Sequence, residues 1–290
     1  MMEATAQTQA KPRAQTAARH ERRQIGARWL LDGHIWLMMA FLYAPIAVLV
    51  LFSFTTDSFG VRWTGFTFDW YAKLLDDARL ITATLNSLKV AAISTFFSTV
   101  LGTLGALALE RFRFPGRAAV DGLIYMPIII PEIVMGLSLL AFFSCVFDII
   151  EFFTGMKLKM SMVTVVLAHI TFSISFVVVV VRASLRGFDR RLEEAAADLG
   201  AGPWRTFWNI TFPLILPGII GGALLAFTLS LDDFIISFFT SGPGNPLLPT
   251  EVYASVKRAI TPKINAISTI MLVVSISLIG LSQLLQRKRT

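Results

Sequence analysis

Two adjacent carboxylates inside an apolar run, Asp232 and Asp233 in Ser230-Leu231-Asp232-Asp233-Phe234, are the residues of this chain with the most chemistry to offer. Ionised groups at membrane depth are costly, so they face protein, water or a pathway rather than lipid. Counting from Pro213 at 1.5 Å per helical residue places the pair roughly 28 Å along its helix, in the outer half of a bilayer. Neighbouring helical residues point about 100° apart, so one of the two lies centrally on a pathway while the other flanks it. Such a site favours a cation with separated ammonium groups over an anion or a neutral sugar. Structural pairing with Lys or Arg is the alternative.

Glu132 is the third candidate. It follows Pro127 and Pro131 in Met126-Pro-Ile-Ile-Ile-Pro-Glu132. Proline lacks an N–H and crowds the preceding turn, so two of them four apart kink or open a helix. A carboxylate at such a break, costing about 2.5–3.5 kcal/mol at a span centre, faces a lumen or a partner. The alternative is an exposed Glu at the end of a span. His169 has no His, Cys or carboxylate three or four residues on, so no metal centre is expected there. A helix-packing hydrogen bond is its first reading, with proton coupling or substrate contact as alternatives. Cys145, the single cysteine, lies in an apolar span and excludes a disulfide framework; it reads as a core filler.

The elements that must position these groups are membrane helices. The 290 residues are 55% hydrophobic with mean hydropathy +0.67, and only 16% are charged, against about 25% in soluble domains. A helix crossing the hydrocarbon core needs about 20 apolar residues, and six runs qualify: 35–54, 87–109, 123–147, 162–181, 212–239 and 266–285. Threading the chain through six spans leaves seventeen Lys and Arg on the side of the termini and eight on the other. Positive charge stays cytoplasmic, so both termini are expected inside. The net charge of +7 then reflects lipid head groups rather than nucleic acid. Residues 1–30 read as a disordered cytoplasmic tail, and 31–290 as one six-span domain. The outer segment 55–85 is dense in aromatics, among them Trp63, Phe66, Phe68, Trp70 and Tyr71, which suits a head-group belt or a docking surface. Gly218 and Gly222 carry the spacing of close helix packing.

The loop 183–213 is unlike its surroundings. Leu192, Ala195, Ala196 and Leu199 form one apolar stripe on a short helix, with Glu193, Glu194 and Asp198 off it. Asp189 can cap its start, Gly200 can end it in the left-handed conformation, and Pro203 suits the first turn of a second helix. A compact helical knob of this kind fits a groove on another protein. No Gly-x-x-x-x-Gly-Lys-[Ser/Thr] occurs, so the chain has no phosphate-cradling loop of its own. A membrane-embedded enzyme lacks its catalytic set here, and a passive channel has no use for the knob.

Glu194-Ala195-Ala196, Gly200, Ile210 and Pro213 stand at the spacing of the signature loop of permease subunits of binding-protein-dependent ABC importers, with Phe212 where that family more often has Leu. From about Phe66 to Gln286 the chain resembles the C-type permeases of spermidine/putrescine importers, through Pro131-Glu132-Ile133, Ala168-His169-Ile170-Thr171-Phe172, residues 230–237 and Thr261-Pro262-Lys263-Ile264-Asn265. Lys263 stands where those relatives usually carry Glu. The resemblance implies an all-α, type I ABC importer permease fold in a bacterial inner membrane, moving a polyamine by alternating access without enzymatic chemistry of its own. It implies that Ser230, Asp232, Asp233, Glu132 and Trp70 contribute to passage, and that Glu194, Ala195, Ala196, Gly200, Ile210 and Pro213 belong to an ATPase-coupling loop. The implied partners are an ABC ATPase dimer that binds ATP and Mg, a second permease subunit and a periplasmic polyamine-binding protein. Thiamine, ferric iron, an opine or an amino-acid-like cation is the alternative cargo.

Overall fold

Small residues at helix crossings set the centre of the molecule. The computed structural model describes residues 31–60, 62–187, 189–258 and 261–287; the expected tail, 1–30, lies outside them. Helix α3 (Ala78–Arg111), α6 (Met162–Arg186) and α9 (Phe212–Asp232) pack together around Ala106, Leu109, Val177, Val178, Val181 and Ile215. A Cβ added at Gly102 would stand 2.7 Å from the Val177 side chain, and one at Gly218 would collide with Ser184. Gly222 approaches the backbone of Val177 in the same way. The glycines on α3 and α9 therefore let α6 come close to both, as small residues do between membrane helices.

Among the described residues, six helices are long and apolar enough to span: Leu31–Phe52, Ala78–Arg111, Glu132–Thr154, Met162–Arg186, Pro203–Asp232 and Pro262–Leu284. The first, α1, buries none of its apolar window against the rest of the chain. Its surface is left for lipid or another subunit. After it, Thr55 and Phe66 form an antiparallel bridge, and Phe54, Phe66, Phe68 and Tyr71 stack into an aromatic knot leading to α2 (Asp69–Leu75). Asp77 then accepts from the N–H groups of Arg79 and Leu80, at 3.0 and 3.1 Å, and starts α3.

Two spans differ from the sequence expectation, each for a local reason. The run 123–147 is not one span. Helix α4 (Arg117–Ile129) accommodates Pro127 but stops before Pro131, because the residue preceding a proline is pushed out of the helical region; Ile130 has φ −71° and ψ 134°. The spanning helix is α5 (Glu132–Thr154), which restarts at Pro131 and brings Glu132 into its first turn. The run 212–239 is also divided. Its helix begins earlier, at α8 (Pro203–Thr206), passes through a π turn at Phe207–Thr211 into α9, and ends at Asp232. A separate short helix, α10 (Ile235–Thr240), follows. Asp233 leaves the helical region with ψ 119° and its carboxylate accepts from the N–H groups of Ile236 and Ser237. A third correction concerns Cys145, which is exposed on α5 rather than filling the core.

Beyond α10 the chain is tied back to α3. Asn86 donates to the carbonyl of Pro246 at 3.1 Å, and the N–H of Leu248 donates to Ser87 Oγ at 2.8 Å. These bonds seat α11 (Leu248–Arg258) beside the start of α3, and α12 (Pro262–Arg287) then packs along α9.

Candidate functional site

The break between α9 and α10 gathers the polar groups that the bundle can least afford to scatter. Asp233 is buried with His169 at its side: Nε2 of the imidazole lies 3.3 Å from Asp233 Oδ2 and 3.1 Å from Ser237 Oγ. The other ring nitrogen, Nδ1, is 2.7 Å from Ser230 Oγ, which in turn is 3.0 Å from Ser94 Oγ. With Nε2 protonated, the ring donates towards Asp233 and Ser237, and Nδ1 accepts from Ser230; Ser94 Oγ has both Ser230 Oγ and the carbonyl of Ala91, at 3.3 Å, within reach of its one proton. Helices α3, α6, α9 and α10 are thus stapled through one imidazole. Asp233 accepts from two backbone N–H groups at the start of α10 besides His169, so its charge is consumed within the protein.

Asp232 has the opposite surroundings. It is exposed, and its one bond among the described residues is from Ser275 Oγ of α12, at 2.7 Å from Oδ2. The peptide between the two carboxylates is where the helix ends, so one turns into the packed centre and the other out of it. Glu132, also exposed, reaches the same neighbourhood from α5 and lies within electrostatic range of Asp233 and His169. This is possible because Gly136, one turn further on, packs on Ile235 and Phe239 of α10; a Cβ there would stand 2.8 Å from the Phe239 ring. The structure therefore brings Ser230 and Asp233 together around His169, with Glu132 in electrostatic range, and turns Asp232 away towards α12.

Trp70 is elsewhere. Its indole N–H donates to the carbonyl of Thr55 at 2.7 Å, Lys73 Nζ sits 4.3 Å above its ring, and its body packs on the cluster of Leu74, Leu248, Ala266 and Ile267. These contacts fasten the segment after α1 to α11 and α12.

At the other end of the bundle α7 (Arg191–Asp198) projects as the expected knob. Asp189 accepts from the N–H of Arg191 at 3.0 Å. Gly200, at φ +82°, closes the helix: its N–H donates to Ala197 O and that of Ala201 to Ala196 O, both at 2.9 Å, the paired bonds of a left-handed helix terminus. Pro203 opens α8 as expected. The apolar stripe does not turn inward. Only Ala196 is buried, while Leu199 is 89% and Trp204 74% exposed. Glu194 is exposed on the same knob.

What anchors the knob was not apparent in the sequence. Glu193 accepts from Arg111 at the end of α3 and from Thr211 in the π turn, and Arg190 donates to the carbonyl of Glu110 at 3.0 Å. Arg182, buried on α6, donates to Asp121 and to Glu110, the latter at 3.4 Å. Arg111 is 82 residues from Glu193, and nothing in the local pattern separates Glu193 from Glu194. The wide apolar helices around Arg182 are its only sequence signal, since a basic residue at the end of such a run must find carboxylates.

Six spanning helices among the described residues, with acidic side chains at helix breaks and a helical knob at one end, are the frame of an integral-membrane transport subunit. The chain belongs to the family of binding-protein-dependent transport system inner membrane components, whose model matches residues 98–290; it is an inner-membrane protein. It is 40% identical over 260 residues to the spermidine/putrescine transport system permease protein PotC of Haemophilus influenzae, covering 90% of this chain and 97% of that one. To the putrescine transport system permease protein PotI of Escherichia coli it is 43% identical over 237 residues, covering 81% and 83%. Its fold matches a chain of a bacterial alginate ABC transporter solved in complex with an alginate pentasaccharide-bound periplasmic protein, with a TM-score of 0.72 at 20% identity, covering 92% of this chain and 96% of that one.

Proposed function

We propose that this chain is one permease subunit of an ATP-driven importer that passes polyamines such as putrescine or spermidine inward by alternating access. The observation that carries this reading is an exposed carboxylate at each of two helix breaks, Asp232 at the end of α9 and Glu132 at the start of α5, in an apolar bundle. Exposed acids at such a depth are retained for cations, and two of them on separate elements suit separated ammonium groups. Because Asp233 already has three donors, it shapes the break, while Asp232 and Glu132 meet the cargo. Their single charges hold an ammonium weakly enough to release it.

The α7 knob is the joint. Its exposed Leu199 and Trp204, with Glu194, fit a groove on an ATPase subunit, and this end of the bundle faces the cytoplasm with both termini. ATP and Mg are bound by that partner. A second permease completes the pathway, and the bare surface of α1 is available to it. A periplasmic binding protein delivers the polyamine from the opposite side. The test is uptake of labelled putrescine and spermidine by the assembled complex in proteoliposomes, with thiamine, ferric iron and opines as competitors. Saturable, ATP-dependent uptake of a polyamine is expected; competition by one of the other solutes at lower concentration would reassign the cargo.

A further inference from the structure

At the end of the bundle opposite α7, a cavity of about 310 Å³ is lined by Asp77, Arg79, Glu251, Arg258 and Lys263, with Ile267 at its floor. Helix α11, which supplies two of these, has 11 residues and is too short to cross a bilayer, and five charged side chains around one opening suit water rather than hydrocarbon. Glu251 is 4% exposed and holds two guanidinium groups at once: Arg79 Nε at 2.9 Å and Arg258 Nη2 at 3.2 Å. Lys263 is paired with Asp77. Three cations thus face two carboxylates, and the excess positive charge rests on the arginines, whose side chains are more than 60% exposed.

The way Glu251 grips them matters. It lies against Nε of Arg79, and the end-on pair, Nη1 and Nη2, has no acceptor among the described residues. Arg258 spends Nε on the carbonyl of Ala254 and Nη2 on Glu251 and Ser255, leaving Nη1. Arg79 alone ties α3 to α11, since Arg258 shares α11 with Glu251. The end-on pair of Arg79, with Nη1 of Arg258 on the same carboxylate, sets a fork of donors beside an open cavity, which is the geometry that recognises a carboxylate. A polyamine gains nothing from such a rim.

We propose that this cavity is a socket for an acidic side chain of the soluble binding protein, and that it sets the orientation in which that protein docks. The inference rests on the importer reading above and adds the residues and charge of the docking contact. The experiment uses the complete importer in nanodiscs and a purified polyamine-binding protein that supports uptake by it, with affinity measured across ionic strength. Arg258→Glu is expected to weaken docking at least about tenfold, as loss of a desolvated charge pair does, and to flatten its salt dependence. Arg79→Lys and Arg258→Lys keep the charge beside Glu251 but remove the fork, and are expected to weaken docking by a smaller factor with the complex still assembled. Replacing one acidic residue on the binding protein by Lys should restore docking to Arg258→Glu. Unchanged affinity in all three variants overturns the socket, as does an effect that depends on anionic lipid in the nanodisc rather than on the binding protein. If the wild-type complex docks no binding protein, the importer reading falls instead.

Discussion

Asp232→Asn and Asp233→Asn remove the same charge one residue apart, yet the two variants are expected to fail differently. Among the described residues Asp232 has a single hydroxyl partner, Ser275, and is exposed. Asp232→Asn should therefore lower polyamine uptake by an order of magnitude or more while the purified complex keeps its melting temperature. Asp233 is buried against His169 and the N–H groups of Ile236 and Ser237. Losing a hydrogen-bonded charge inside the fold costs about 1–3 kcal/mol, so Asp233→Asn, like His169→Ala, is expected to lower the melting temperature as well as uptake. Equal thermal stability of the two Asn variants would remove this division of labour. The Asp77–Lys263 pair offers a pH test. The hydrogen bond from Lys263 holds the Asp77 carboxyl below its ordinary range, helped by the N–H groups of Leu80 and Arg79 and opposed by partial burial. A lowered folded-state value means stability that is complete above the usual carboxylate range and lost as the pH falls through the lowered value. Melting curves from neutral to acid pH should show that acid-side step in the wild type and a smaller one in Lys263→Met.

At the scale of elements, the functional ends are made by helices that stop. Pro131 stops α4 and lets Glu132 begin α5; Asp233 stops α9 and begins α10; Gly200 stops α7. Gly200 stands at φ +82° with open space where a Cβ would go, so Gly200→Ala meets no neighbour and carries only the left-handed backbone cost, about 1–2 kcal/mol. The knob is expected to re-angle rather than unfold. The measurement is uptake per ATP hydrolysed in proteoliposomes, which should fall several-fold while the subunits still co-purify; an unchanged ratio would mean that the terminus of α7 tolerates either conformation. The stripe on α7 was legible as a period, but its direction was not. Alanine at 195–197 keeps the helix narrow, and Glu193, bound to Arg111 and Thr211, turns it so that Leu199 faces outward.

Across the whole molecule, the same packed helices carry the acidic site partway along their length and the knob at one end. α3 runs from Asp77, beside the socket, through Ser94, next to Ser230, to Arg111, which holds Glu193. α6 likewise carries His169 at the site and Arg182 near the knob, bound to Glu110 and Asp121. Close-packed interiors shift between discrete arrangements rather than deform smoothly, so movement at the knob and movement at the break are tied through two rigid rods. Reversing the charge of Glu194, exposed on the knob, is expected to leave folding intact and uncouple the motor: ATP hydrolysis by the Glu194→Lys complex should lose its stimulation by substrate-loaded binding protein. Full stimulation would take the knob out of the mechanism.

The number of spans, the breaks at Pro131 and Gly200, and the acidity of the site were determined by the sequence, because apolar length, missing N–H groups and left-handed turns are local properties of a chain. The same holds for the signature spacing from Glu194 to Pro213. Tertiary structure alone decided which acid faces outward, for that depends on His169, 64 residues before Asp233 along the chain, having arrived beside it. Tertiary structure also packed Trp70 against α11 and α12, exposed Cys145 and gave Glu251 two arginines. Each outcome is a competition for partners among groups distant in sequence, and a donor is claimed only once the helices have packed.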